Sequence, residues 1–192
     1  MSRRCLLPAL AMLSFLVSAA PALADPATGG VAPGAVPAPS PAPASVPDRP
    51  TVSGTRATIV KGVAFAPSAA PAPVKRLIWM VNGIVQKPYV YGGGHASFRP
   101  DRGYDCSGLV SYAMHAAGLL SSPVSAPGFL RFGTGGPGQW ITVWARSGHV
   151  FAEIAGLRLD TTPYPSRGVE GPRWRARMRD VGAFTARHPA GL

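Results

Sequence analysis

Between Asp25 and about Pro50 the chain is dominated by alanine, proline, glycine and serine and holds almost no large apolar side chain. Such a stretch cannot bury enough surface to offset the entropy of ordering its backbone, so it is expected to act as a linker or tether. Residues 51 to 73 admit two readings. Ala57-Thr58-Ile59-Val60 and Val63-Ala64-Phe65 have the makings of a short strand, whereas Pro67, Pro71 and Pro73 break the pattern beyond Phe65. The boundary is therefore placed after residue 73, with a linker over 25–73 and one folded domain over 74–192, a length that suits a single core.

The start of the chain reads as an export signal. Arg3 and Arg4 precede an apolar stretch from Leu6 to Val17, and Ala22-Leu23-Ala24 stands before Asp25 and Pro26, so residues 1–24 are expected to be cleaved off. The apolar stretch is shorter than the roughly 20 residues that a spanning helix needs, and it contains Pro8. Export without an integral membrane segment is the expectation. Ser2-Arg3-Arg4 faintly resembles a twin-arginine signal, but paired arginines are common in ordinary positive leaders, which is the reading preferred. Cys5 precedes the apolar stretch, which rules it out as the cysteine of a lipoprotein cleavage box.

Loss of Arg3 and Arg4 with that leader lowers the formal charge from +11 to +9, and most of the excess is arginine. A chain of this charge associates with anionic matter, whether wall polymer, lipid head groups or nucleic acid. No aromatic nucleic-acid-binding strand motif or basic recognition helix accompanies the charge, and export argues against DNA or RNA as partner.

Val74, Leu77, Ile78, Val81, Ile84 and Val85 recur at three-and-four spacing and predict a helix over 74–85. A second helix is predicted over 106–117, with Leu109, Val110, Ala113, Met114 and Ala117 on one side, Asp105 as N-cap and Gly118 as stop. Residues 139–145, 149–155 and 157–161 read as three short strands. Helices first and an antiparallel sheet afterwards make an α+β fold.

Cleavage of the leader leaves Cys106 as the one cysteine, so no internal disulfide can form. Cys106 opens the second helix, 43 residues before Gly148-His149-Val150-Phe151, which opens a strand. An ordinary thiol has a pKa of about 8.5, and lowering it by about two units takes roughly 2.7 kcal/mol of preference for the anion. A helix N-terminus supplies part of that and an adjacent imidazolium the rest. Of the four histidines, His115 lies nine residues along the same helix, on its opposite side, and is assigned to packing or surface. His188 sits in the last residues, where disorder is the default. His95 follows the glycine run within reach of the site, but on a loop. His149 is the base candidate. Val150, Ala152 and Ile154 take the apolar face of its strand, so an even-length turn near Ala155-Gly156 brings Asp160 onto the face of His149; an odd one presents Thr161 instead.

These residues resemble the NlpC-like cell-wall cysteine peptidases, papain-like hydrolases that cut peptide bonds in peptidoglycan stems. The likeness runs through Pro88-Tyr89-Val90-Tyr91-Gly92-Gly93, Asp105-Cys106-Ser107-Gly108-Leu109-Val110, Pro137-Gly138 before a strand, and Gly148-His149-Val150. It implies a papain-like fold with N-terminal helices packed on a small antiparallel sheet, and periplasmic or secreted, wall-associated action on stem peptides. It further implies Cys106 as nucleophile, His149 as base, Asp160 as orienting residue and Tyr89 near the oxyanion position, with Ser107 and His95 beside the substrate. The Cys106 amide would help stabilise the oxyanion, an acyl-enzyme thioester would form, and no metal or cofactor is required. The family's commonest target is a γ-D-glutamyl to diamino-acid bond. This chain has Asp160 where the family often has histidine, Gln139 where it has an acidic residue, and Phe151 where it has a small one, a bulk expected to narrow the cleft.

Rival readings are a wall-binding protein that keeps the fold without catalysis, a thiol acyltransferase or amidase effector, and a metal site built from Cys106, His149, Asp160 and His95. The last lacks any closely spaced ligand pair. The arginines of 173–179 alternate with other residues and read as an edge strand with Trp174 and Met178 toward the core, or as a carboxylate platform. Gly92-Gly93-Gly94 is no phosphate loop, because no Gly-Lys-Ser/Thr comes after it.

Overall fold

The computed structural model describes residues 49–163 and 170–192. The expected leader, and the linker as far as residue 48, lie outside the described residues. Residues 51–73 belong to the folded part, contrary to the linker expectation. Strands β1 (Thr51–Val52), β2 (Thr58–Val60) and β3 (Val63–Pro67) form a sheet in the order β1-β3-β2. Lys61 and Gly62, both at positive φ, make the two-residue turn that a β2–β3 hairpin favours. Ala57, Ala64, Ala66 and Ala70 are buried. Alanine-rich composition imitates a linker, but small side chains also let a strand approach a helix closely, and here they do so.

Helix α1 (Ala72–Asn82) begins earlier than expected, because Pro73 sits in its first turn, where a missing N–H costs nothing. It ends earlier too, at Gly83, although Ile84 in the next turn stays buried. Asn82 locks the elements around it. Its side-chain nitrogen donates to the Ala64 carbonyl at 2.8 Å, and its oxygen accepts from the Ala64 amide at 3.0 Å and from the Trp174 indole at 2.9 Å.

Helix α2 (Cys106–Ala116) matches the sequence reading, with the Asp105 side chain accepting from the Gly108 amide as N-cap. Its far end closes at Gly118, φ +82, where Gly118 N–H reaches the His115 carbonyl and Leu119 N–H reaches that of Met114. Nearly all of α2 is buried between α1 and a six-stranded sheet. A one-turn helix, α3 (Ala126–Phe129), comes next.

The larger sheet contains β4 (Thr134–Gly135), β5 (Ile141–Arg146), β6 (His149–Ile154), β7 (Leu157–Asp160), β8 (Arg173–Arg175) and β9 (Thr185–His188). Its order is β4-β9-β5-β6-β7-β8, and every pairing is antiparallel. The fold is mixed α/β, with few helices and sheets of three and six strands. His188 is ordered into β9, its ring meeting the Gly136 carbonyl at 2.9 Å, rather than lying in a loose terminus. The arginine run forms the edge strand β8 with Trp174 buried, but the strand ends at Arg175, so Met178 is exposed instead of reaching the core. No helix among the described residues is long and apolar enough to cross a membrane.

Candidate active site

Asp105 joins the two glycine-bearing motifs into one structure. Its Oδ1 accepts from the Gly108 amide at 2.7 Å and the Ser107 hydroxyl at 3.1 Å, which caps α2, while its Oδ2 accepts from the Gly92 amide at 3.0 Å. The Asp105 amide donates to the Gly93 carbonyl at 3.2 Å. Gly108 must lack a side chain, because a Cβ there would run into that same carbonyl. Gly94, at φ +81, lies against the Tyr104 ring and the Gly108 Cα. The glycine loop is thus wrapped tightly over the first turn of α2, with Cys106 half-buried at its mouth.

His149 reaches this point from the start of β6. The turn between β6 and β7 is the two-residue Ala155-Gly156, both at positive φ, and it sets Ile154 opposite Leu157, Glu153 opposite Arg158 and Ala152 opposite Leu159. The even register puts Asp160 on the face that carries His149, and His149 Nε2 donates to Asp160 Oδ1 at 3.1 Å. Nδ1 is left as the nitrogen for Cys106. Asp160 is fully buried, and it also accepts from the Thr162 amide at 3.1 Å and the Thr162 hydroxyl at 2.8 Å.

Burial pushes the Cys106 thiol up, but hydrogen bonds from His149 and the Val150 amide, with the charge of His149, outweigh it and hold the thiol below its ordinary value. Burial alone would lower His149; hydrogen bonds to Asp160 and Cys106 and their charges raise it to about 9. Asp160, opposed by burial, is held at about 2 by His149 and the Thr162 contacts. The directions of the three shifts favour a thiolate, an imidazolium and a carboxylate, the ionised set that a cysteine nucleophile would need.

The cleft above Cys106 is open, about 440 Å³, with Tyr89, His95, Ser107, Pro127 and Gly148 among its walls. Burial, with the charges of Cys106 and Asp105, raises the Tyr89 hydroxyl, so it stays protonated and able to donate at neutral pH. His95 is not joined to His149. Its Nε2 meets Asp105 Oδ1 at 3.0 Å and Ser107 Oγ at 3.1 Å, on the α2 side of the cleft. Among the described residues no group of three or more His, Cys, Asp or Glu side chains is placed to hold a metal ion. His115 stacks on Phe98 with ring centroids 3.9 Å apart, the packing role its helix position suggests. Phe151 does not narrow the cleft; it is fully buried against Trp144 and Phe184.

Contributors outside the sequence reading include Arg158, whose Nε stands 3.6 Å from Asp160 Oδ2, and three others. Thr162 completes the hydrogen bonds of Asp160, and its spacing two residues on was the available signal, because aspartate commonly binds the backbone amide at that offset. Arg179 Nη1 stands 3.4 Å from Asp160 Oδ2, and the Phe184 ring meets His149 edge-on at 6.2 Å between centroids. Both come from the segment after β8, where the arginine alternation that predicts a strand as far as Arg179 gives way at Arg175. No protein-family model matches the chain, and no curated protein matches it.

Proposed function

We propose that this protein is a cysteine hydrolase that cleaves amide bonds in peptidoglycan stem peptides outside the cytoplasm. The observation that carries the reading is the linked Cys106, His149 and Asp160, with the sulfur at the N-terminus of a buried helix and at the foot of an open cleft. In this reading the thiolate attacks the amide carbonyl, and the Cys106 amide and the Tyr89 hydroxyl stabilise the oxyanion. The His149 imidazolium protonates the leaving nitrogen. A thioester then joins the acyl half to Cys106, and His149 takes a proton from the water that resolves it.

The helix-on-antiparallel-sheet arrangement suits a papain-like fold. The substrate class rests on the resemblance of the Tyr-Val-Tyr-Gly-Gly and Asp-Cys-Ser-Gly segments to wall peptidases, and the excess of arginine agrees with an anionic wall polymer. A γ-D-glutamyl to diamino-acid bond is the proposed target. Mass spectrometry of fragments released from purified peptidoglycan, with Cys106→Ala in parallel, tests the proposal. Fragments that appear only with the unmodified protein support it, and their new termini name the bond. No release, with equal sedimentation of both proteins with the wall, replaces it by a wall-binding role.

A further inference from the structure

Arg146 ends β5 and immediately precedes Ser147 and Gly148, which line the cleft. In the sheet register it lies directly opposite His149, so the two side chains leave the same face. Its guanidinium covers the Phe184 ring, with Cζ 5.1 Å from the centroid, and Arg179 covers the same ring at 5.3 Å. Phe184 therefore carries two guanidinium contacts, and it also meets the rings of His149 and Phe151 edge to face.

The two arginines are not equivalent. Arg179 is bound to Asp160. Arg146 is exposed, and among the described residues it makes the ring contact and neither a hydrogen bond nor an ion pair. Asp160 does not neutralise it, because that carboxylate is fully buried and occupied by His149, Thr162, Arg158 and Arg179. A guanidinium stacked on a ring keeps its N–H donors free along its edge, in the planar fork that matches a carboxylate. The stacking also restricts the side chain before a ligand arrives, which lowers the entropy lost on binding.

Position selects which half of the substrate this fork meets. His149 hands its proton to the leaving nitrogen, so the groups beyond His149 from Cys106 face the amine-side half of the amide. The opposite wall, with Asp105 and His95, faces the acyl side. The Phe184 centroid is 6.2 Å from that of His149 and the Arg146 Cζ lies 5.1 Å from Phe184, so the carboxylate placed to meet this fork is one carried along the leaving residue several bonds from the nitrogen.

We propose that Arg146, clamped on Phe184, forms a carboxylate-binding subsite on the leaving-group side, so that preferred substrates carry a free carboxylate on the residue released as the amine. This rests on the amide-hydrolase reading and names one requirement of its substrate. Paired synthetic stem peptides, identical except for carboxylate or carboxamide on that residue, test it. Calorimetry measures their binding to the Cys106→Ala protein, and kcat/KM is measured with the active one.

About tenfold tighter binding of the carboxylate peptide is expected, with a similar ratio in kcat/KM. Arg146→Gln brings both ratios close to one, and Arg146→Lys, which keeps the charge without the fork, retains part of them. Thermal unfolding verifies that each variant is folded. Equal binding of the two peptides, survival of the ratio in Arg146→Gln, or no measurable binding of either at millimolar concentration overturns the subsite. If the unmodified protein hydrolyses neither peptide while Cys106→Ala still discriminates through Arg146, the subsite stands and the hydrolase reading falls.

Discussion

Asp160→Asn removes one charge and almost no volume from beside His149, and the structure says how far that should travel. His149 is raised from 6.5 to about 9, a preference for the imidazolium on the order of 3 kcal/mol shared between Asp160 and Cys106. Asparagine still offers Nε2 an acceptor, but its neutral oxygen does not balance the imidazolium, and Arg158 and Arg179 lose the carboxylate they pair with. Loss of an adjacent opposite charge moves a pKa by about one to three units. His149 should fall by at least one, and the thiol, which depends on the imidazolium, should rise by a similar amount.

The signs come from the two groups. Thiolate is lost as pH falls through the depressed thiol pKa, and imidazolium is lost as pH rises through about 9, so the proposed hydrolysis is expected in the window between them. Asp160→Asn closes that window from both sides. Iodoacetamide alkylation of Cys106 across pH reads the acid side without any substrate. The midpoint should move up by about one to two units, and the rate on the acid limb below the unmodified protein's midpoint should drop about 10- to 100-fold. Coincident alkylation profiles, in a variant shown by thermal unfolding to be folded, would refute the claim that Asp160 acts on sulfur through His149.

Gly108→Ala drives a methyl group into the Gly93 carbonyl and against the Gly94 Cα, so it should destabilise the protein by about 1–3 kcal/mol or more in chemical denaturation; an unchanged midpoint would contradict the interlocked loop and helix. A chain trimmed to residues 74–192 loses β1–β3 and the first two residues of α1, uncovering the packed face of that helix, and should show no cooperative thermal transition by circular dichroism. The same transition temperature as the chain starting at residue 49 would restore the linker reading of 51–73.

What the sequence made legible is what short-range rules decide. Asp105 three residues before Gly108 is an N-cap by local geometry, Gly118 ends α2 by its left-handed backbone, and a two-residue turn at Ala155-Gly156 decides by parity which face receives Asp160. The first two signals delimit the helix that Cys106 opens and the third joins His149 to Asp160, each among residues adjacent in the chain or paired across one hairpin, whereas the meeting of Cys106 with His149 depends on the packing of α2 on β6. The alanines of 57–70 escaped for a different reason: burial of a small side chain leaves no periodic hydrophobic signature, so strand and linker look alike until α1 is seen against them.

Arg179 and Phe184 were illegible for a third reason. Arg179 belongs to an arginine alternation that predicts a strand, yet the strand stops at Arg175 and the chain turns back over the sheet. That return is a tertiary event. It lays Phe184 against both His149 and Phe151, and it sets a guanidinium on the oxygen of Asp160 that the imidazole does not use. The large aromatic at position 151, unfavourable if the cleft is considered alone, is then the floor on which Phe184 and Arg179 rest. A smaller residue there would leave that floor empty, so Phe151, Arg179 and Phe184 are best understood as one packing unit against which the His149 ring rests.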